Sequence, residues 1–163
     1  VKIKLTQKEQ FTCHAAALTL ALKNENYNKA GYWTIPQDKN LHEWLANDAE
    51  AIGSEWVVAK YFGLNFDPFM QKGKRIADVG KGLEIKWTSY ASGQLIIYEY
   101  DRPTDVAVLV TGKSPDYYIA GWIPVAMAQK PRYRHTKQPT WWVTQLNLQP
   151  IENLRKSNYA HTI

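Results

Sequence analysis

The periodicity of the chain changes between Gly63 and Lys74, and that change restricts the fold more than any other feature. Before it, apolar residues recur at helical spacing. After it, they come in short β-rich runs separated by turn residues. Thr6-Gln-Lys-Glu9 reads as a capping box, in which a hydroxyl and a carboxylate satisfy the first free amides of a helix. The Ala- and Leu-rich run from Phe11 to Leu22 continues it, which predicts an N-terminal helix over residues 6–23. Asn24 to Gln37 gathers Asn, Gly and Pro and reads as loop. Asn40-Leu-His-Glu43 repeats the capping signature and opens a longer helix that should reach Phe62 and stop at Gly63.

From Lys74 onward the runs Arg75–Val79, Leu83–Thr88, Leu95–Tyr100, Val106–Thr111 and Tyr117–Ile123 read as strands joined by turns. Pro124 sits where a proline begins a short helix, and Trp141–Leu148 reads as one more strand. Helices first and strands later predict an α+β domain with a central mixed β-sheet flanked by helices. The 163 residues suit one domain, with a core over about 40–123, the N-terminal helix over 6–23 and a basic, aromatic extension over 124–163.

Composition removes several function classes. Cys13 is the only cysteine, so no intramolecular disulfide forms, and no CxxC or His–Cys spacing offers a structural zinc site. The Cys13-His14 pair on an apolar helix reads as packing. The four histidines are scattered, and no glycine-rich phosphate loop is present, which disfavours P-loop chemistry. No apolar run approaches the ~20 residues of a membrane span, and the first residues lack a signal-peptide core, so no membrane partner and a cytoplasmic location are expected. A net charge of +5 favours polyanionic partners, because neutralised phosphates release counterions.

Three pieces carry candidate chemistry: Gly53-Ser-Glu55 on the long helix, Asp78 at a strand end, and Glu84-Ile-Lys86 in the next strand. Side chains alternate across a strand, so Glu84 and Lys86 share one face while Leu83, Ile85 and Trp87 take the other. A cross-face ion pair on a half-exposed sheet explains Glu84 and Lys86 taken alone. A bend at Gly80-Lys81-Gly82 would bring Asp78 beside Glu84, and two carboxylates at one spot repel unless a cation joins them. Mg²⁺ suits one or two carboxylates, several waters and a phosphate. A lysine alongside can orient water or steady charge developing at phosphorus. On the helix, at about 100° per residue, Glu55 projects within roughly 60° of the apolar stripe, whereas Glu43 and Glu50 read as solvated surface.

These pieces resemble the PD-(D/E)xK nuclease superfamily: Ala51-Ile-Gly-Ser-Glu-Trp-Val-Val-Ala-Lys-Tyr-Phe-Gly-Leu64, then Asp78, then Glu84-Ile-Lys86. The likeness runs from about Asp48 to Ile123 and is nearest to small phage or bacterial members, with Asp105–Gly112 and Tyr117–Trp122 similar to their sheet-core segments. It implies a restriction-endonuclease-like core and a DNA nuclease, with a cytoplasmic setting in a bacterial or phage-infected cell. By resemblance Asp78, Glu84 and the backbone carbonyl of Ile85 hold Mg²⁺ or Mn²⁺, Lys86 positions or activates the water, and Glu55 completes or tunes the metal site. Ala77 stands where the motif has proline, the interval from Asp78 to Glu84 is short, and Asp67 is a rival for the acidic position.

Lys130-Pro-Arg-Tyr-Arg-His-Thr-Lys137 interleaves four cationic side chains with aromatic rings, and Trp141-Trp142 follow. Arg132, Arg134 and Lys137 are candidate phosphate contacts, with rings to stack on bases. Either a solvated loop or a nucleic-acid contact accounts for them. Lys72, Lys74, Arg75 and Lys81 surround Asp78 in sequence and form a candidate rim for phosphate. A non-catalytic nucleic-acid binder on the same scaffold is the main alternative, and a protein-interaction module a third. RNA is as acceptable to these residues as DNA, and the sequence leaves the oligomeric state open, a dimer included.

Overall fold

The computed structural model describes residues 1–23, 40–70 and 76–163. The expected loop from Asn24 to Gln37, and the rim residues Lys72, Lys74 and Arg75, lie outside the described residues. Among the described residues no helix is long and apolar enough to cross a membrane.

Both capping signatures act as read. Thr6 Oγ1 accepts the Glu9 amide at 3.2 Å and Glu9 Oε2 accepts the Thr6 amide at 2.7 Å, starting α1 (Gln7–Lys23). Asn40 Oδ1 accepts the Glu43 amide at 2.9 Å, starting α2 (Leu41–Phe62). Gly63 ends α2 at φ 67°, a left-handed cap that returns its N–H to the carbonyls of Ala59 and Lys60.

The strands are β1 (Lys2–Lys4), β2 (Leu83–Thr88), β3 (Leu95–Tyr98), β4 (Val106–Lys113), β5 (Asp116–Pro124) and β6 (Thr140–Val143), with a short helix α3 (Val125–Ala128). Four of them form a mixed sheet in the order β1-β5-β4-β2, in which β2 and β4 are parallel and the other pairs antiparallel. The β3 and β6 strands form a separate antiparallel ribbon. The chain is therefore α+β with a mixed sheet.

Alternation along β2 sorts two cores. Leu83 and Ile85 pack with Val106, Val108 and Val110 of β4 against Val57, Val58 and Phe62 of α2. Fully burying each such side chain contributes roughly 1.5–3 kcal/mol. Glu84 and Lys86 stand in register with Ala107 and Leu109, which pack with Leu95, Ile97, Val125 and Val143. The two long helices thus cover one face, while the ribbon and α3 cover the other. From the C-terminal segment 124–163, Val143 enters one core, and Ile151 and Leu154 enter the other.

Other elements differ from expectation for local reasons. Of the strand expected over Arg75–Val79, the described residues 76–79 keep only one bridge, Val79 with Leu83, because the chain turns at once at Gly80. The strand expected to Tyr100 ends at Tyr98, where the Asp101 amide closes a turn on the Tyr98 carbonyl at 3.2 Å. Trp141–Leu148 is a strand only to Val143 and then a 3₁₀ turn over Gln145–Asn147. Pro124 precedes the first turn of α3 as its N-cap.

Glu50 is another correction, since it is not solvated surface. Its carboxylate accepts the Tyr117 hydroxyl at 2.6 Å and the Ser114 amide at 2.9 Å. Burial, then this carboxylate, push the Tyr117 phenol well above the usual tyrosine range. The ring end of Tyr117 rests on Gly53, where an added Cβ would lie 2.5 Å from the phenol oxygen. Gly53→Val is accordingly expected to lower stability by about 2–3 kcal/mol, since neither the helix backbone nor a hydrogen-bonded ring yields freely. Urea denaturation reads this directly, and an unchanged midpoint would show that the contact is slack.

Candidate active site

The turn between Val79 and Leu83 sets the site. These two residues exchange backbone hydrogen bonds of 3.1 Å each, which folds Gly80-Lys81-Gly82 into a tight reversal. Gly80 has φ 60°, a conformation that disfavours other side chains. The Thr162 carbonyl accepts the amides of Lys81 at 3.0 Å and Gly82 at 2.9 Å, so the C-terminal 3₁₀ turn clamps the reversal from outside.

The clamp brings Asp78 alongside β2, where its Oδ2 accepts the Ile85 amide at 2.8 Å. The Gly82 carbonyl accepts the Val106 amide at 2.8 Å, which turns the backbone groups of Gly82, Glu84 and Lys86 towards β4. Those of Leu83 and Ile85 point the opposite way. The Ile85 carbonyl therefore runs along the same outer edge of β2 as the amide that Asp78 holds.

On the strand face, Lys86 Nζ lies 2.9 Å from Glu84 Oε1 and 2.9 Å from Asp101 Oδ1. The Asp101 side chain is only 2% exposed, and its second oxygen accepts the Tyr98 amide at 2.8 Å. Lys86 also stands 5.3 Å from the centre of the Tyr98 ring, and Tyr100 stacks on Tyr98 at 5.2 Å.

Burial, then the charge of Asp78, push the Glu84 carboxyl above the usual range, with Asp101 adding to them and Lys86 failing to offset them. Burial pulls Lys86 down, but Glu84 and Asp101 outweigh it and hold the ammonium above the ordinary lysine range. Glu84 and Asp101 thus both hold the Lys86 ammonium, and the charge of Asp78 bears on Glu84 from the strand edge. Among the described residues no group of three or more His, Cys, Asp or Glu side chains is arranged to hold a metal ion. The donors at the edge of β2 are two carboxylates and one carbonyl. Carboxylates and a carbonyl are a donor set that suits Mg²⁺ or Mn²⁺ bound mainly by water.

The remaining expected residues lie elsewhere. Glu55 is half-buried on α2, which packs on the Leu83 and Ile85 face, and its charge acts on Cys13 of α1. Burial, then Glu9, Glu50 and Glu55, push the Cys13 thiol up to about 12, which makes it an inert packing residue. Asp67 is exposed and holds its own turn through the Phe69 amide at 2.9 Å. Lys81 projects from the reversal into solvent. Arg132 lies 4.6 Å over Tyr133 and Arg134 lies 4.5 Å over Trp141, both arginines exposed, as is Lys137. Asp101 was not among the residues the sequence singled out. Its only signal is an acid at a strand-ending turn, Tyr98-Glu-Tyr-Asp101, and nothing local ties it to Lys86.

No protein family, no curated protein and no solved structure matches the chain.

Proposed function

We propose that this protein is a metal-dependent DNA nuclease with a restriction-endonuclease-like core, as the resemblance of its Asp78 and Glu84-Ile-Lys86 to the PD-(D/E)xK superfamily implies. The observation that carries the reading is Asp78 held against the edge of β2 by the Ile85 amide, with its charge bearing on Glu84 and with Glu84 paired to Lys86 on the adjoining face. Asp78, Glu84 and the Ile85 carbonyl would hold the cation. Mg²⁺ or Mn²⁺ there would supply a Lewis acid and lower the pKa of water. Lys86, protonated at neutral pH, donates hydrogen bonds to the attacking water or to the oxygens of the five-coordinate phosphorus. A raised lysine is a poor base, so its contribution is orientation and charge. Asp101 fixes the ammonium from behind and is a positioning residue.

The test is cleavage of linear, circular and single-stranded DNA with Mg²⁺, Mn²⁺ or EDTA. Cleavage is expected with either cation and none with EDTA, and a cut circle separates internal attack from attack at an end. Cleavage that persists in EDTA would contradict the proposal.

The exposed guanidinium groups of Arg132 and Arg134, lying over the half-buried rings of Tyr133 and Trp141, favour a second reading, a nucleic-acid binder without hydrolysis. It expects alanine at Arg132 and Arg134 to weaken binding more than alanine at Glu84, and the salt slope of binding to fall by about one per lost phosphate contact. An unchanged salt slope would remove these arginines from the interface.

A further inference from the structure

A cavity of about 590 Å³ opens beside the cluster, and its wall includes Lys86, Thr88, Tyr90, Gln94, Tyr98 and Trp142. Its size falls in the roughly 300–1,000 Å³ range of small-ligand pockets. Lys86 belongs to both this cavity and the carboxylate cluster, so whatever fills it lies against the group assigned to phosphate. The other walls combine aromatic rings with the aliphatic side chains of Ile96 and Leu109, and amide and hydroxyl groups stand between them. Tyr90 is 74% exposed, so its ring is not committed to the core. Trp142 alternates with Trp141 on β6, and Trp141 packs against the core while Trp142 turns to the cavity. The far side of Trp142 stacks on His135 at 4.8 Å, and His135 lies within the basic segment that holds Arg132, Arg134 and Lys137.

Phosphate-binding charge at one end, rings in the middle and cations beyond are the parts of a single-strand site. There the backbone follows positive charge, and bases stack on aromatic side chains. A paired base in duplex DNA is stacked and cannot enter such a recess without being extruded. Building on the nuclease reading, we infer that this cavity receives one unpaired base of the strand whose phosphate lies at Lys86, and that the substrate is single-stranded or frayed DNA. Trp142 and Tyr90 are its stacking surfaces, and Gln94 and Thr88 face the edges of the base.

Fluorescence anisotropy in EDTA measures binding without competing cleavage. The probes are a short labelled DNA single strand, its duplex, and the same strand with abasic sites replacing its bases. The single strand is expected to bind about tenfold more tightly than either other probe. Trp142→Ala and Tyr90→Ala should each reduce that advantage and leave abasic binding unchanged; Tyr90 is exposed, so its loss spares the fold. Equal binding of the intact and abasic strands, duplex bound as tightly as single strand, or an advantage kept in both variants would overturn the inference. If Mg²⁺-dependent cleavage survived that result, the hydrolytic reading would stand without the base pocket. Base-dependent binding through Trp142 without such cleavage would keep the pocket and remove hydrolysis.

Discussion

Lys86→Ala is expected to lose cleavage and stability together, and the two losses are separable. The ammonium is the cation that faces Asp101, whose side chain is 2% exposed. Without it, Asp101 keeps the Tyr98 amide but carries a buried charge with no cation against it. Breaking a buried pair by removing one partner costs roughly 3–5 kcal/mol. The rate should fall by about 10²- to 10³-fold, the effect of losing a donor aimed at transition-state charge. Replacing Asp101 at the same time removes the stranded charge. Lys86→Ala/Asp101→Asn should therefore recover most of the stability and none of the cleavage. Denaturant midpoints and cleavage rates on both variants check this. A single variant as stable as the wild type would show that Asp101 does not depend on Lys86.

Glu84→Gln should have the opposite signature, with cleavage lost and the metal-free protein made more stable at neutral pH. Burial and Asp78 raise the Glu84 carboxyl, so the folded protein binds this proton more tightly than the unfolded chain. The contribution is fully present below the ordinary glutamate value of about 4.3 and is lost as pH rises through the raised one. In EDTA the wild type should thus lose stability over that window, while the glutamine variant does not. Added Mg²⁺ should restore the wild type, by about 2.7 kcal/mol at a hundred times its Kd, and leave the variant nearly unmoved. Thermal melts from pH 4 to 8 with and without Mg²⁺ read all of this. A variant less stable than wild type in EDTA at neutral pH would mean that Glu84 stabilises the fold as an ordinary ion-pair partner.

What was legible in the sequence was local. Two capping boxes, the Gly63 stop and the alternation of Leu83-Glu-Ile-Lys-Trp-Thr88 act within a few residues of themselves, and each stands where it was read. The bend after Asp78 was legible for the same reason, because Gly80 can take the left-handed conformation that a short reversal needs. Distant pairings were not. Periodicity shows that Glu55 lies near the buried margin of its helix, but not which face of the sheet that margin meets. Glu50 and Tyr117 are 67 residues apart, and Asp101 reaches Lys86 across a strand and a turn. The β1 strand is three residues long and exists by pairing with Asp116–Tyr118, far along the chain. The ribbon of β3 and β6 leaves the main sheet because Leu95, Ile97 and Val143 cover the face that carries Ala107 and Leu109.

The most direct test of a hydrolytic site at the edge of β2 is the rate of DNA cleavage in Mg²⁺ by the wild type beside Lys86→Ala/Asp101→Asn, once denaturation shows both to be folded. Cleavage by the wild type that stops in EDTA and is absent from the double variant is the expected result. Equal rates for the two folded proteins would contradict it.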